Sequence, residues 1–308
     1  MSQSGLGKLC LAGAFTLAGT SVITGYLLSA RLGGFTIMAV SMAIVLTGLL
    51  PFYAARTFRT AKTLTRRDWA MLLLQAVFGI FLFRLFLLFG VRLTSTAEAG
   101  ILTGATPAIT ALLAFFVLKE RVSGFAAAGI AVTVAGMVLL QGNSLFSVRF
   151  SSGHFFGNTL ILCAAASEST FNVISRKHRN TGGNASQTAL HPMVQTLLVC
   201  AFTLGLCAVP ALLERPFVAI ARLGWQELLA LVWYGIVVTA LAFALFYAGA
   251  RRCDAYTIAA FSGAMPLTSV LLSLFFLREP IAWIQWLGGG LILLGMGWIG
   301  QKNRRTAC

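Results

Sequence analysis

Acidic residues and histidines are scarce in this chain, with 8 Asp and Glu and 3 His among 308 residues. An enzyme that cleaves bonds within a membrane needs paired acids, an H-E-x-x-H helix, or a serine close to a histidine. The sequence contains none of these patterns, and it also lacks the glycine-rich phosphate loop of ATP-driven proteins. It therefore predicts neither an enzyme nor a protein powered by its own ATP hydrolysis.

Cysteine is sparse as well, and its residues are dispersed. No two cysteines have the C-x-x-C spacing that is typical of metal sites and redox motifs. Single cysteines within apolar segments behave as small hydrophobic residues. The sequence therefore predicts no metal, no cofactor and no disulfide at its six cysteines, which are Cys10, Cys163, Cys200, Cys207, Cys253 and Cys308.

Charge is rare overall, whereas hydrophobic residues make up 58% of the chain and charged residues 10%. Apolar runs of about 20 residues, the length that crosses a bilayer core, recur from end to end. The pattern predicts an all-α polytopic membrane protein with ten transmembrane helices. The predicted spans are 8–30, 34–54, 69–91, 96–118, 123–141, 155–175, 190–213, 225–248, 255–277 and 282–300.

The net charge of +15 would indicate a nucleic-acid partner in a water-soluble protein. Here the basic residues concentrate in alternate connections between spans, which is the positive-inside pattern. The pattern predicts that both termini lie in the cytoplasm, that the protein resides in a bacterial cytoplasmic (inner) membrane, and that nucleic acid is not a partner. The basic segment 56–67 is interpreted first as a plain topology signal, and anionic membrane lipid is preferred to nucleic acid as its partner.

One segment of the chain is repeated. TGATPAITALLAFFVLKER (103–121) is similar to SGAMPLTSVLLSLFFLREP (262–280), and the offset of 159 residues that aligns Pro107 with Pro266 also aligns Gly129 with Gly288. Each half then has five spans, and because five is odd the second half enters the membrane inverted. Inverted repeats are typical of carriers that open a central site alternately to either side.

This repeat predicts four parts of the chain. Residues 1–141 form the first five-helix repeat, 142–154 a linker loop, 155–300 the second, inverted repeat, and 301–308 a cytoplasmic tail. Two pairs of glycines, Gly129/Gly136 and Gly288/Gly295, allow helices to approach closely within one protomer or between two. A homodimer is therefore an open alternative.

The stretch RLTSTAEAGILTGATPAITALLAFFVLKERVSGFAAAGIAVTVAGMVLL (92–140) resembles the EamA-type branch of the drug/metabolite transporter superfamily. The second copy (251–299) fits the same pattern, with Arg278-Glu279-Pro280 in place of Lys119-Glu120-Arg121. The resemblance implies ten helices, cytoplasmic termini, and alternating-access transport of small metabolites. It implies no particular substrate, since the branch moves amino acids, nucleosides, amines and drugs.

Two charged residues fall within the third and fourth predicted spans. Arg84 is about seven residues from the outer end of its span, and Glu98 is only two or three residues from the same surface. A salt bridge between them is one interpretation. The other is a guanidinium in an aromatic setting, with Phe81 one turn away, that binds a substrate carboxylate.

Glu168 lies deeper, about 20 Å into the sixth span at 1.5 Å per residue. Asn172 and Ser175 follow it at i+4 and i+7 and form a polar stripe that must face protein or a water-filled cavity. An acid buried without a fixed partner favours its neutral form. We expect Glu168 to bind substrate and to carry the coupled proton, or else to be a protonated core acid bonded to a neighbouring helix.

A narrower resemblance concerns the same helix. Small multidrug resistance antiporters carry one membrane-embedded Glu with a basic residue eight positions later, as Glu168 and Arg176 do here. The first span of this chain (FTLAGTSVITGYLL) has no acid, so the pocket would hold one carboxylate rather than two.

Other spans contribute further candidates. Trp233 and Tyr234 lie near mid-depth, where they are either substrate contacts or ordinary core aromatics. Pro107 and Pro266 lie mid-span at equivalent positions, where proline interrupts a helix, and are predicted hinges.

Taken together, these residues predict a proton-coupled secondary transporter that exports small metabolites such as amino acids or related amines and depends on the proton gradient. The alternative function is export of multiple drugs or cationic compounds, and a channel or intramembrane enzyme is disfavoured. Arg84 and Glu168 lie about 9 Å apart in depth, a gap that fits a substrate between them.

Overall fold

The computed structural model describes residues 3–118, 124–146, 152–180, 190–253, 255–278 and 283–299, and every regular element within these ranges is a helix. The predicted all-α class is therefore confirmed for the described residues. The predicted tail 301–308 and the turns at 119–121 and 279–280 lie outside them. The helices are α1 (Gln3–Ser29), α2 (Gly34–Ala61), α3 (Arg66–Gly90), α4 (Thr96–Thr103), α5 (Thr106–Leu118), α6 (Gly124–Phe146), α7 (Ser152–Asn180), α8 (Pro192–Leu213), α9 (Pro216–Ile220), α10 (Trp225–Ala250), α11 (Ala255–Ser262), α12 (Ala264–Leu277) and α13 (Trp283–Ile299).

Membrane-length helices dominate this architecture. Within the described ranges, six helices are long and apolar enough to cross a bilayer: Gly5–Ser29, Gly34–Ala61, Arg66–Gly90, Glu98–Val117, Pro192–Leu213 and Trp225–Ala250. Shorter apolar helices occur at Ala127–Gly136, Ala264–Leu277 and Trp286–Gly295. Helix α7 is not among the six, because asparagine, serine and glutamate side chains interrupt its apolar sequence. The chain is a helical membrane protein.

Some helix starts are stabilised by side chains that accept hydrogen bonds from the first backbone N–H groups, which have no partner within the helix. Thr65 and Asp68 form a capping box at the start of α3. Glu214, at the end of α8, caps α2 from a distance: its carboxylate accepts from the Thr36 N–H at 2.7 Å and the Thr36 hydroxyl at 2.8 Å. This bond ties α2 to the far end of α8.

Two helices are interrupted just before a proline. Helix α4 ends at Thr103 and α5 begins at Thr106, so Pro107 is in the first turn of α5. Likewise, α11 ends at Ser262 and α12 begins at Ala264, so Pro266 is in the first turn of α12. Proline has no N–H and its ring clashes with the carbonyl four residues earlier, so a helix is easily broken at that point.

Three stretches widen to π-helical geometry, at Val77–Leu82 in α3, Trp233–Leu241 in α10 and Ser273–Leu277 in α12. Such stretches are rare and often mark functional sites, since they free backbone groups and loosen the helix locally. In α10 the freed carbonyl of Tyr234 accepts a hydrogen bond from the Thr239 hydroxyl at 2.7 Å.

Glycine allows the closest helix contact, between α6 and α13. A Cβ atom on Gly136 would lie 2.7 Å from the carbonyl oxygen of Gly288, and one on Gly295 would lie 2.5 Å from that of Gly129. Side chains at these positions would force the two helices apart. The predicted glycine pairs thus meet each other within one chain.

Candidate functional site

A partly open cavity, with about 430 Å³ of empty space when its open side is included, lies among helices α1, α3, α7, α10 and α12. Its polar lining residues, among those that the structure describes, are Glu168 and Asn172 on α7. The rest of the lining is apolar: Ala14, Phe15, Ala18, Gly79, Phe83, Phe171, Ala242, Phe243, Phe246 and Met265. The cavity therefore has an aromatic wall and one polar strip.

Glu168 is buried, with 9% of its surface exposed. Its carboxylate accepts a hydrogen bond from the Thr106 hydroxyl at 3.1 Å, and the neighbouring Ser169 donates to the Thr106 carbonyl at 3.0 Å. Thr106 is the first residue of α5, directly after the break from α4. The acid is thus bonded to the helix interruption itself.

Asn172 lies one helical turn beyond Glu168 and is 3% exposed. Neither its amide nitrogen nor its amide oxygen has a hydrogen-bond partner among the described residues. A buried polar group without a partner costs about 1–3 kcal/mol and calls for an explanation. Because Asn172 lines the cavity, a bound molecule with a donor and an acceptor would satisfy both atoms.

The aromatic wall is built around Phe171. Its ring centroid lies 5.0 Å from that of Phe246 and 5.4 Å from that of Phe243, and Phe246 in turn is 5.9 Å from Phe15. Gly79 makes room for this arrangement, because a Cβ atom there would overlap the Phe171 ring. The wall offers the faces and edges of several rings to an apolar group.

A polar layer adjoins this wall at the C-terminal end of α10. The Tyr247 ring lies 6.0 Å from Phe171, and its hydroxyl donates to Gln75 at 3.1 Å. Gln195 donates to the same Gln75 oxygen at 2.9 Å, and Arg251 donates to Gln195 at 3.4 Å. This layer links α3, α8 and α10 between the cavity and Arg251.

Arg84 is also buried, with 2% of its surface exposed. Its guanidinium donates to the Ser41 hydroxyl at 3.0 Å and to the Thr239 hydroxyl, and it lies 4.1 Å from the centre of the Tyr234 ring. Phe81, the expected aromatic neighbour, packs on Phe35 instead. Arg84 is not part of the cavity lining, although the adjacent Phe83 is.

Glu98 does not bond to Arg84. Its carboxylate lies 2.6 Å from the His154 Nε2 atom, and accepts from the Thr94 hydroxyl at 3.0 Å and the Asn158 amide at 3.2 Å. These residues connect the start of α4 to the start of α7. The sequence predicts no role for His154, because a single histidine near a span end carries no distinguishing pattern.

The remaining predicted residues are not among those that line the cavity. Trp233 is 45% exposed and donates to the Thr20 hydroxyl at 3.0 Å, whereas Tyr234 is fully buried against Arg84. Ser175 is half-buried, and its hydroxyl has no partner in the described part of the chain. Pro266 is buried beside the cavity residue Met265.

The structure thus brings together Glu168 and Asn172 and gathers Arg84 with Tyr234 in a second cluster. The cavity phenylalanines were not foreseen. Two of them adjoin predicted residues in sequence, Phe83 beside Arg84 and Phe171 beside Asn172, which is a usable signal. The chain has 24 phenylalanines, and composition alone does not distinguish those that line a cavity from those that face lipid.

A helical membrane protein whose long helices surround a cavity with a buried acid belongs, as a class, with the proteins that bind and move solutes. The EamA-like transporter family model matches residues 6–141 and again residues 155–301. The chain therefore belongs to the EamA-like transporter family. Membership indicates a transporter with a small-molecule substrate in a membrane, not an enzyme.

Two relatives are informative. The chain is 30% identical to the uncharacterized transporter YetK of Bacillus subtilis (strain 168), over 93% of this chain and 84% of YetK. It is 27% identical to the aromatic amino acid exporter YddG of Ancylobacter novellus, over 67% of each chain. A solved crystal structure with 21% identity superposes on 95% of both chains with a TM-score of 0.64, so the fold is shared.

Proposed function

We propose that this protein exports amino acids with aromatic or bulky apolar side chains, or closely related amines, in exchange for protons across the cytoplasmic membrane. The observation that carries the proposal is the cavity, in which a buried acid and an unpartnered amide face a wall of phenylalanine rings. Glu168 and Asn172 form the polar strip of this cavity, and the rest of its described lining is apolar.

The lining matches a molecule with a cationic amino group at one end and an apolar group at the other. The amino group meets the Glu168 carboxylate, and the Asn172 amide supplies the donor and acceptor that its burial leaves unused. The apolar side chain of the substrate packs among Phe15, Phe243 and Phe246. These rings favour an aromatic side chain in edge-to-face contact. YddG, which is named as an aromatic amino acid exporter, supports the same substrate class.

Glu168 also provides a route to proton coupling. In an apolar cavity the neutral acid is favoured, whereas a bound ammonium group favours the carboxylate. Substrate binding from the cytoplasm then releases the proton, and protonation from the outer side displaces the substrate. Because Glu168 is bonded to Thr106 at the break between α4 and α5, its charge state acts directly on an interrupted helix.

Alternating access requires two similar halves, and the helix boundaries support the predicted inverted repeat. Starts and ends recur at the offset of 159 residues found in the sequence: Arg66 and Trp225, Thr96 and Ala255, Thr103 and Ser262, Leu118 and Leu277. Each of the ten predicted spans overlaps a described helix. We take the chain as two five-helix repeats, 1–141 and 155–300, of opposite orientation.

The contacts at helix ends support the predicted orientation. Partial burial, and then the positive charges of Arg56 and Arg251, lower the pKa of His191, which indicates that these three residues lie near one another. Arg56 and Arg251 belong to predicted cytoplasmic connections, and His191 lies at the cytoplasmic end of the predicted span 190–213. Arg92 donates to the carbonyls of Ser29 and Leu32, at the predicted outer end of the first span and in the connection that follows it.

A second candidate function is export of organic cations, because an acid in an aromatic cage also suits a flat cationic drug. The two functions differ in one requirement. An amino acid exporter recognises a carboxylate as well as an amine on its substrate. In a drug exporter, a carboxylate on the ligand weakens binding.

Transport by purified protein in liposomes tests the proposal. With an acidic lumen, we expect accumulation of radiolabelled phenylalanine that is abolished by a protonophore, weaker accumulation of leucine, and none of lysine. Phe243→Leu should lower phenylalanine transport about 10-fold through the lost ring contacts and leave leucine transport unchanged. Phe217→Leu, at a position that is 79% exposed, is the matched control. Equal transport of lysine and phenylalanine would reject the proposal.

A further inference from the structure

The cluster around Arg84 on α3 consists of one cation and of neutral partners from two other helices. Ser41 comes from α2 and lies 3.0 Å from the guanidinium, while Thr239 and Tyr234 come from α10. The two hydroxyl bonds use two of the five N–H groups of a guanidinium. The remaining N–H groups are available to a further acceptor.

No carboxylate forms an ion pair with Arg84 within the described residues. A charged side chain deep in a membrane is costly, and such residues are almost always paired or functional. Neutral hydroxyls and a ring face offset part of that cost but leave the charge itself uncompensated. An anion held against the guanidinium would complete the site.

The hydroxyl of Tyr234 is the second sign of a missing ligand. The residue is fully buried, and its Oη atom has no hydrogen-bond partner in the part of the chain that the structure describes. The Tyr234 ring lies against Arg84 at 4.1 Å. The cluster therefore presents a cation and an unused hydroxyl donor, a combination that suits a carboxylate.

The cluster adjoins the cavity along two helices. On α3, Arg84 is next to the lining residue Phe83, and on α10, Thr239 is one turn before the lining residue Ala242. The π-helical stretch Val77–Leu82 of α3 ends directly before Phe83, and Tyr234 and Thr239 lie within the π-helical stretch Trp233–Leu241 of α10. Since π-helical stretches rearrange readily, a small change in α3 or α10 joins the cluster to the cavity.

We infer that Arg84 and Tyr234 form the carboxylate subsite of the transported substrate, separate from the amino-group subsite at Glu168. This inference rests on the proposed function and narrows it: the substrate is an amino acid rather than an amine. When the cavity extends to the cluster, the substrate carboxylate accepts from the guanidinium N–H groups that Ser41 and Thr239 leave unused.

The test compares two ligands that differ in the carboxylate group. Binding of L-phenylalanine and of phenethylamine to the purified full chain is measured by calorimetry. We expect the wild type to bind phenylalanine at least 10-fold more tightly. Arg84→Gln should weaken phenylalanine binding to the level of phenethylamine and leave phenethylamine binding unchanged. Arg92→Gln, two residues beyond the end of the same helix, should preserve the preference for phenylalanine.

Tyr234→Phe removes only one hydroxyl and keeps the test valid if Arg84→Gln does not fold. It should weaken phenylalanine binding severalfold without affecting phenethylamine. Equal losses for both ligands, or no loss for either, would overturn the carboxylate subsite while the proposed function stands. Binding of neither ligand by the wild type would instead overturn the proposed function, and the subsite with it.

Discussion

Glu168 and Asn172 lie one helical turn apart on α7 and face the same cavity, but they offer different chemistry. The acid changes its charge when it loses a proton, whereas the amide always presents one donor group and one acceptor. A site that must hold substrate in one state and release it in another needs both kinds of residue. In our proposal Glu168 couples to the proton, and Asn172 positions the substrate.

The unpartnered amide of Asn172 predicts a trade of stability against function. Asn172→Leu keeps the volume and removes a buried polar group that has no partner among the described residues. We expect the free energy of unfolding without substrate to increase by roughly 1–3 kcal/mol, and the stabilisation by added substrate to disappear. Thermal unfolding with and without phenylalanine measures both effects.

Asn158→Leu is the matched control for this substitution, because it lies on the same helix and its amide donates to Glu98 at 3.2 Å. It should destabilise the protein and leave the response to substrate in place. If Asn172→Leu destabilises the protein to the same degree as Asn158→Leu, the amide of Asn172 has a structural partner and the assignment is wrong.

At this scale the sequence identified the polar half of the site and missed the aromatic half. Glu168 was found because a charge in a bilayer is costly, and Asn172 because it follows at helical spacing. Phe15, Phe243 and Phe246 look like any lipid-facing phenylalanine until the helices are packed. The structure also pairs Glu98 with His154 rather than Arg84, a contact between helices that sequence spacing does not reveal.

At the scale of the helices, the interruptions and the π-helical stretches determine where the site forms. The break between α4 and α5 presents Thr106 to Glu168, and the π-helical stretch of α3 contains Gly79, which accommodates the Phe171 ring. Both irregular segments thus contact α7 at residues that line the cavity, Glu168 and Phe171.

Gly79 is therefore predicted to control the shape of the cavity. In Gly79→Ala the new methyl group overlaps the Phe171 ring, which must rotate and occupy space that the substrate needs. We expect phenylalanine binding to weaken about 10-fold, since overpacking of a tight site costs about 1–3 kcal/mol. The double variant Gly79→Ala/Phe171→Leu should recover part of the loss.

Gly205→Ala is the control, because a Cβ atom at Gly205 meets nothing within 4 Å. It lies in α8 and makes the same chemical change in another long apolar helix. Calorimetry measures phenylalanine binding by Gly79→Ala, by the double variant and by Gly205→Ala. Normal binding by Gly79→Ala would show that Phe171 does not shape the site.

Helix positions followed from the sequence more closely than their internal irregularities. Predicted spans such as 69–91 and 225–248 agree with α3 and α10 within a few residues, because apolar length is set by the bilayer. Proline indicated the two helix breaks. The π-helical stretches have no comparable signal, since they arise from contacts between helices.

At the scale of the whole molecule, the cavity draws on both regions that match the family. Helices α1 and α3 belong to residues 6–141, and α7, α10 and α12 to residues 155–301. A site shared in this way changes whenever one half moves against the other, which is what alternating access requires. The repeat at an offset of 159 residues was visible in the sequence, but the shared cavity was not.

Orientation is the simplest test at this scale. In a variant without other cysteines, the native Cys308 should be labelled by a membrane-impermeant maleimide only after the cells are opened, as should a cysteine at Lys62. A cysteine at Arg222 should be labelled in intact cells. Labelling of Cys308 in intact cells would place the C-terminus outside and contradict both the span count and the inverted repeat.

The central claim is that the proton of Glu168 drives transport, and Glu168→Gln tests it most directly. Wild type and variant are reconstituted in liposomes, and phenylalanine accumulation under an acidic lumen is measured beside phenylalanine exchange without a pH gradient. We predict that Glu168→Gln loses the accumulation driven by the gradient and retains exchange, because the amide keeps the hydrogen bond to Thr106 but cannot release a proton. Accumulation with unchanged pH dependence in the variant would contradict the account.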